Sequence, residues 1–317
     1  MCSVRKTHAS QRPTHPIPSP NIQSKALQND EQNRLRVAAI SFLNPAPLLY
    51  HFEHEPHASE RKKHYDVRYT MPSQCAEQLR TGEADLGLVP IASLAAMPEV
   101  VAIPGCTIAS LHQVRSIQLI LRPGVTLGTI HTLATDEASR SSAAYVRTIL
   151  HHFHGIHPAI HEEAADLATM LQHSEAALLI GDHALLALEA REHGAHPFAE
   201  DAGYTWIDVA QFWCEHIHLP WVAAVWAIRP EALARTGITA QQLTQDLQQS
   251  RDAGLTHITN IVTDWLPRLP LSAETIHDYL TNNIHYTLDT PCLQAIDRFY
   301  TLAAAANVLP TYHLKLL

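Results

Sequence analysis

The chain has 317 residues, 46% of them hydrophobic, which is enough for two ordinary domains with a sizeable core. Acidic residues outnumber Lys plus Arg by 31 to 22, and no basic block relieves the net charge of −9, which argues against nucleic acid or an anionic membrane surface as a partner. The five cysteines (Cys2, Cys75, Cys106, Cys214, Cys292) are odd in number and form no C-x-x-C pair, so reduced thiols in a cytoplasm are expected, and no run approaches the roughly 20 apolar residues of a membrane span.

Residues 1–35 are polar, carry Pro13, Pro16, Pro18 and Pro20, and have no apolar h-region; they read as a disordered tail or the product of a misplaced start codon rather than a signal peptide. From residue 36 to about 230, strand-like runs alternate with helical patterns. The expected strands are 37–40, 65–69, 86–90, 100–103, 117–121, 132–134, 176–180 and 222–228. The expected helices are 47–52, 72–81, 91–97, 141–153, 163–172 and 183–193. Such alternation predicts a mostly parallel sheet covered by helices. After Pro230 the pattern turns helical, with Thr239 and Ser272 as cap residues.

Two long apolar segments, Val114–Arg122 and Trp221–Arg229, each end in an arginine before proline. Read as crossings, they divide the chain into one lobe of residues 36–122 plus 222–317 and a second of 123–221. The ligand cleft then lies between the lobes, beyond the carboxyl ends of the strands.

Four stretches carry candidate chemistry. Asn44 lies where the run Val37–Ile40 gives way, after Ser41, to Pro45 and Pro47, a strand-to-helix corner with free backbone donors suited to an acidic ligand. Pro90 ends another strand, and Ile91 and Ser93 open a helix facing the same side. Ser139-Arg140-Ser141-Ser142 places hydroxyls and a guanidinium at the start of a strong helix, where the plainer reading is an N-cap cluster. Asp182 follows a buried strand and either caps the next helix or makes a polar contact in the cleft, while Ser116 on the first crossing faces ligand or solvent. The 23 histidines, crowded at His151–His161 and His216–His218, complete no metal-ligand pattern and read as surface residues. No phosphate loop, dinucleotide fingerprint or Ser-His-Asp ordering occurs, so no cofactor is indicated.

The collinear succession I-S-F-L-N-x-x-P-L, G-E-A-D-L-G-L-V-P-I-A-S, V-R-S-I-Q-L-I, S-R-S-S, A-A-L-L-I-G-D and L-P-W-V-A-A-V-W-A-I-R resembles the chorismate dehydratases of menaquinone biosynthesis by the futalosine route, over roughly residues 36–308. The resemblance implies an α/β fold of the type II periplasmic-binding-protein kind, with two α/β lobes joined by two crossing segments. It also implies loss of water from chorismate to give 3-[(1-carboxyvinyl)oxy]benzoate. The family's key asparagine falls on Asn44, the catalytic candidate, and its S-R-T-S motif on Ser139, Arg140, Ser141 and Ser142. With Ser41, Ile91, Ser93, Ser116 and Asp182, these make up the expected substrate-binding set. Phe42 stands where the family has tyrosine, and Ile217-His218-Leu219-Pro220 replaces T-G-L-P, a change that bears on the hinge. Two rival readings are the sister enzyme that makes 1,4-dihydroxy-6-naphthoate and a cytosolic binding protein for a small dicarboxylate.

Overall fold

The computed structural model describes residues 33–194, 198 and 202–317; the expected tail falls almost wholly outside them. Ten strands form in chain order: β1 (Leu35–Ile40), β2 (Tyr65–Thr70), β3 (Leu86–Pro90), β4 (Val101–Ser110), β5 (Ile117–Leu121), β6 (Thr132–Asp136), β7 (Ala159–Glu163), β8 (Ala176–Ile180), β9 (Thr205–Asp208) and β10 (Trp221–Ile228). They build two five-stranded sheets with the same topology, β2-β1-β3-β10-β4 and β7-β6-β8-β5-β9. The central strands β3, β5 and β8 are buried at every position, as their unbroken apolar runs require.

The sheets are mixed rather than mostly parallel. β1 pairs in parallel with β2 and β3, and β6 with β7 and β8. β10 runs antiparallel to β3 and β4, and β5 antiparallel to β8 and β9. A strand that arrives from the other lobe enters its sheet from the cleft end, which reverses its direction. This also shifts the expected crossing: β5 pairs wholly within the second sheet, so the chain crosses at 111–116 rather than near 122. The return at 218–220 lies close to the expected residue 222.

The C-terminal helices do not belong to one lobe alone. The helix Ala240–Thr256 docks on the first lobe at such close range that a Cβ on Gly254 would collide with the backbone of Pro47. The helix Thr290–Ala305 reaches across to the helix Ser141–His154 of the second lobe. There Phe299 stacks on the fully buried Tyr145 at 4.0 Å, and Trp213 meets the same ring edge-on at 4.7 Å. Each such aromatic pair adds about 0.5–1.5 kcal/mol beyond its buried area. One continuous apolar core therefore runs through both lobes, with a smaller cluster around Ile120, Met170 and Leu179 on the outer side of the second sheet.

Helix boundaries follow local chemistry. Thr239 and Ser272 accept the backbone N–H groups of Gln242 and Thr275, as their sequence context predicts. Gly82 closes the helix Pro72–Thr81 in the left-handed conformation. Trp221 and Trp226 are both core residues, at 0% and 1% exposure. No helix among the described residues is long and apolar enough to cross a membrane.

Candidate active site

The carboxyl ends of β1, β3 and β8 and the entering ends of β5 and β10 converge on a cavity between the sheets. Its volume is about 50 Å³. The first lobe lines it with Ile40, Phe42, Asn44, Pro90 and Ala223, the second with Ile117, Arg140, Ser141, Ser142, Ile180 and Gly181. Ligand clefts usually measure about 300–1,000 Å³, so this is a closed arrangement that must widen to admit a metabolite. Among the described residues, Arg140 is the one ionisable side chain that lines it.

The Asn44 corner is less of an anion site than its sequence suggests. A four-residue 3-10 turn, Ala46–Leu49, runs into the four-residue helix Tyr50–Glu53 in place of one regular helix. Ala46 N–H bonds the Leu43 carbonyl and Leu48 N–H that of Pro45, while Pro45 and Pro47 carry no N–H. Leu43 N–H reaches across the cleft to Asp182 Oδ1 at 3.0 Å. The corner's backbone donors are largely spent, and what faces the cavity is the Asn44 side chain, whose Oδ1 is buried with no partner in the protein.

Ser139–Ser142 fits the anion role better. These residues open a 14-residue helix whose Ncap, Arg140, makes no side-chain cap. Ser141 and Ser142, in its first turn, line the cavity, and a helix's first-turn N–H groups have no partner within the helix, so the helix brings donors and partial positive charge to that wall. Ser139 Oγ accepts Ala143 N–H at 3.1 Å, the expected capping role. The Arg140 guanidinium is half exposed, pairs with Glu162 at 3.1 Å and reaches both the cavity and a flanking groove that also holds Ser93. Ser141 is committed between the lobes: its Oγ accepts Ala92 N–H at 3.2 Å and donates to the Ala223 carbonyl at 2.8 Å.

Further ties hold the lobes together. Gly181, at φ +59, lies so near Phe42 that an added Cβ would meet the ring at 2.5 Å. Asp182 caps nothing in its own helix; it holds Leu43, and burial raises its carboxyl from the ordinary 3.8 to about 6. Next to it, the Asp136 carboxylate, 3.7 Å from its Nδ1, raises the pKa of the half-exposed His183.

Not every expected residue reaches the cavity. Ser41 is exposed and turns toward Met71. Ile91 is buried, and its carbonyl accepts the Tyr300 hydroxyl at 2.6 Å. Ser116 does not line this cavity and does not face solvent; it is 1% exposed and accepts the Tyr279 hydroxyl at 2.8 Å. Tyr279 itself had no signal in the sequence beyond the Ser272 cap seven residues before it. Away from the cavity, His285, Asp289 and Cys292 bring ligand-type atoms within 4.8 Å of one another. Both Asp289 oxygens already serve the fold, one capping Cys292 N–H and one holding His285, each at 3.0 Å.

The sequence model of the menaquinone biosynthesis family matches residues 35–305. The chain belongs to that family. Among its relatives it is similar to the chorismate dehydratase of Thermus thermophilus, 27% identical over 256 residues that cover 79% of this chain and 88% of the relative. Similar solved structures include a protein from Archaeoglobus fulgidus, at TM-score 0.67 and 12% identity, covering 87% of this chain and 99% of that one. The periplasmic aliphatic sulphonate binding protein SsuA from Escherichia coli matches at TM-score 0.60 and 13% identity, covering 90% and 94%. These neighbours establish the periplasmic-binding-protein-like fold, with its two α/β lobes, for this member of the menaquinone biosynthesis family.

Proposed function

We propose that the protein is a cytoplasmic chorismate dehydratase, a hydro-lyase that removes water from chorismate to give 3-[(1-carboxyvinyl)oxy]benzoate. The observation that carries this reading is the match to the Thermus enzyme over 79% of the chain, beside a cavity between the lobes lined by Asn44, Ser141 and Ser142.

Chorismate has two carboxylates, a ring hydroxyl and an enolpyruvyl ether. Elimination breaks one ring C–H bond and the adjacent C–OH bond, leaves a C=C bond that completes the aromatic ring, and releases water. The reaction is steeply downhill, so the protein's task is to hold one geometry against competing rearrangement and pyruvate loss. The helix N-terminus at Ser141 and Ser142 is suited to the ring carboxylate, onto which charge spreads as the proton leaves. Among the described residues, the cavity lining holds no carboxylate or imidazole to act as base. The substrate's own enolpyruvyl carboxylate then takes the proton, and the chain's role is to place it.

The test is incubation with chorismate, following loss of its diene absorbance and gain of the benzoate. Intact chorismate after incubation refutes the reading and leaves the naphthoate synthase or a binding protein. Asn44→Ala is expected to lower turnover by more than about tenfold, the roughly 1.4 kcal/mol of one well-placed hydrogen bond. Unchanged kinetics would remove Asn44 from the site.

A further inference from the structure

We infer that the groove flanking the cavity is an entry vestibule for a small dicarboxylate. Arg147 draws the ligand in, and Arg140 passes it to the cavity by exchanging Glu162 for a ligand carboxylate. The identity of the dicarboxylate rests on the chorismate reading; the route rests on the geometry of the lobes.

A cavity of about 50 Å³ has to open before a metabolite enters. Beside it lies a groove of about 560 Å³, within the ordinary range of a ligand site. The walls of this groove belong to different lobes. Gln74, Ala92 and Ser93 come from the first, and Thr135, Ala143 and Glu162 from the second. Parting the lobes therefore widens groove and cavity together. Among the described residues, Arg140 is the one that lines both.

The groove offers local positive charge in a chain of net charge −9. Arg140, Ala143, Ala144 and Arg147 fall at i, i+3, i+4 and i+7, so one stripe of the helix Ser141–His154 and its N-cap presents two guanidiniums flanking two alanines. The two arginines stand about 10 Å apart along the axis, close enough for a ligand carboxylate to pass from one long side chain to the other. Three arginines, Arg80, Arg140 and Arg147, line the groove with two carboxylates, Glu77 and Glu162. Glu77 holds Arg80 one turn away on the same helix, and Glu162 holds Arg140 at 3.1 Å. Arg147 is exposed and has no carboxylate partner among the described residues, so it is the cation left to meet an incoming anion. The Arg140–Glu162 pair is about half exposed on both sides, and an ion pair in water is weak, so a ligand carboxylate that enters a drier cavity displaces Glu162.

A second groove reaches the cavity past Ile40 and Phe42. None of its described lining residues comes from the second lobe, so parting the lobes does not widen it. Its charges also cancel, with Arg34, Lys62 and Arg268 against Glu53, Asp66 and Asp264.

The test is stopped-flow association of the benzoate product, itself a dicarboxylate, at about 10 mM and about 1 M salt, where charges act over about 30 Å and about 3 Å. Arg147→Gln is expected to slow association about fourfold at low salt and to match the wild type at high salt. That is the size expected of one unit charge acting on a dianion about 10 Å away through water. Arg147→Lys is expected to restore the rate. Glu162→Gln is expected to raise the rate and tighten the product Kd, because Arg140 then has no partner to leave. Arg268→Gln, the same charge change in the second groove, is expected to stay within about twofold of wild type. An unchanged rate for Arg147→Gln at low salt, or an equal slowing in Arg268→Gln, would overturn the vestibule. A slower rate or a weaker Kd in Glu162→Gln would overturn the exchange at Arg140. A wild type that leaves chorismate intact yet binds the product refutes the proposed function alone, and the same rates still decide the route. One that also fails to bind the product refutes this inference with it.

Discussion

Asp182→Asn isolates the energetic cost of the carboxylate that ties the lobes. Burial of the native carboxyl pushes its pKa up from the ordinary 3.8 to about 6, because burial disfavours its charge more than the Leu43 N–H bond and His183 favour it. At about 1.4 kcal/mol per pH unit, that rise corresponds to about 3 kcal/mol. The sign follows from which state holds the proton. Below about 3.8 both folded and unfolded chains keep it, and stability is at its fullest. Between about 3.8 and 6 the unfolded chain releases it and the folded chain does not, so stability falls as pH rises. Above about 6 both are ionised and the loss levels off. The asparagine amide oxygen can still accept from Leu43 N–H but does not titrate. Urea unfolding of both proteins from pH 4 to 8 should therefore show the wild type losing up to about 3 kcal/mol relative to Asp182→Asn, with the change complete by about pH 7. A difference between the two that does not vary with pH would refute this. His183 acts in a separate window: its pKa is raised, mainly by Asp136 and in part by Asp182, so its contribution is present below about 6.5 and fades above it, and it is smaller in Asp182→Asn.

Two further substitutions test the hinge and the lobe contact. Gly181→Ala places a methyl group at φ +59 and against the Phe42 ring; left-handed strain of about 1–2 kcal/mol and overpacking of about 1–3 kcal/mol fall on lobe closure. Titration should show product affinity at least about tenfold weaker, and unchanged affinity would mean that the lobes do not close on this contact. His218 holds a left-handed C-cap at φ +59, where the family pattern T-G-L-P has glycine. His218→Gly should raise unfolding stability by about 0.5–1 kcal/mol, and a loss would show that the imidazole has a role that outweighs its backbone strain.

Much of the fold was legible in the sequence because apolar runs and cap residues are local signals. All eight expected strands form, and seven of them to within about two residues at each end; β4 runs seven residues past the expected Ile103. β7 and β9 escaped notice: β7 is AIHEE, half polar and at a sheet edge, and β9 is the four-residue edge strand TWID. The site was legible in part. Asn44, Arg140, Ser141 and Ser142 do line one cavity, and the order of motifs carried that information. Asp182 contacts the Asn44 corner but does not line the cavity, and the hydroxyls of Ser116 and Ser141 are spent on Tyr279 and on the opposite lobe. No pattern distinguishes a serine that waits for ligand from one that bridges two lobes.

The sequence by itself determined where strands and helices form, that the chain is divided by two crossings, and which motif residues are candidates, since periodicity, capping and glycine backbone geometry act over a few residues. Only the tertiary structure decided the direction of the crossing strands, the bridging role of the C-terminal helix, and the partners of each polar group. Asp182 and Leu43 are 139 residues apart, and Tyr279 and Ser116 are 163 apart. A hydrogen bond over such a distance depends on how whole lobes pack, and packing is a sum over the entire core that no local stretch of sequence contains.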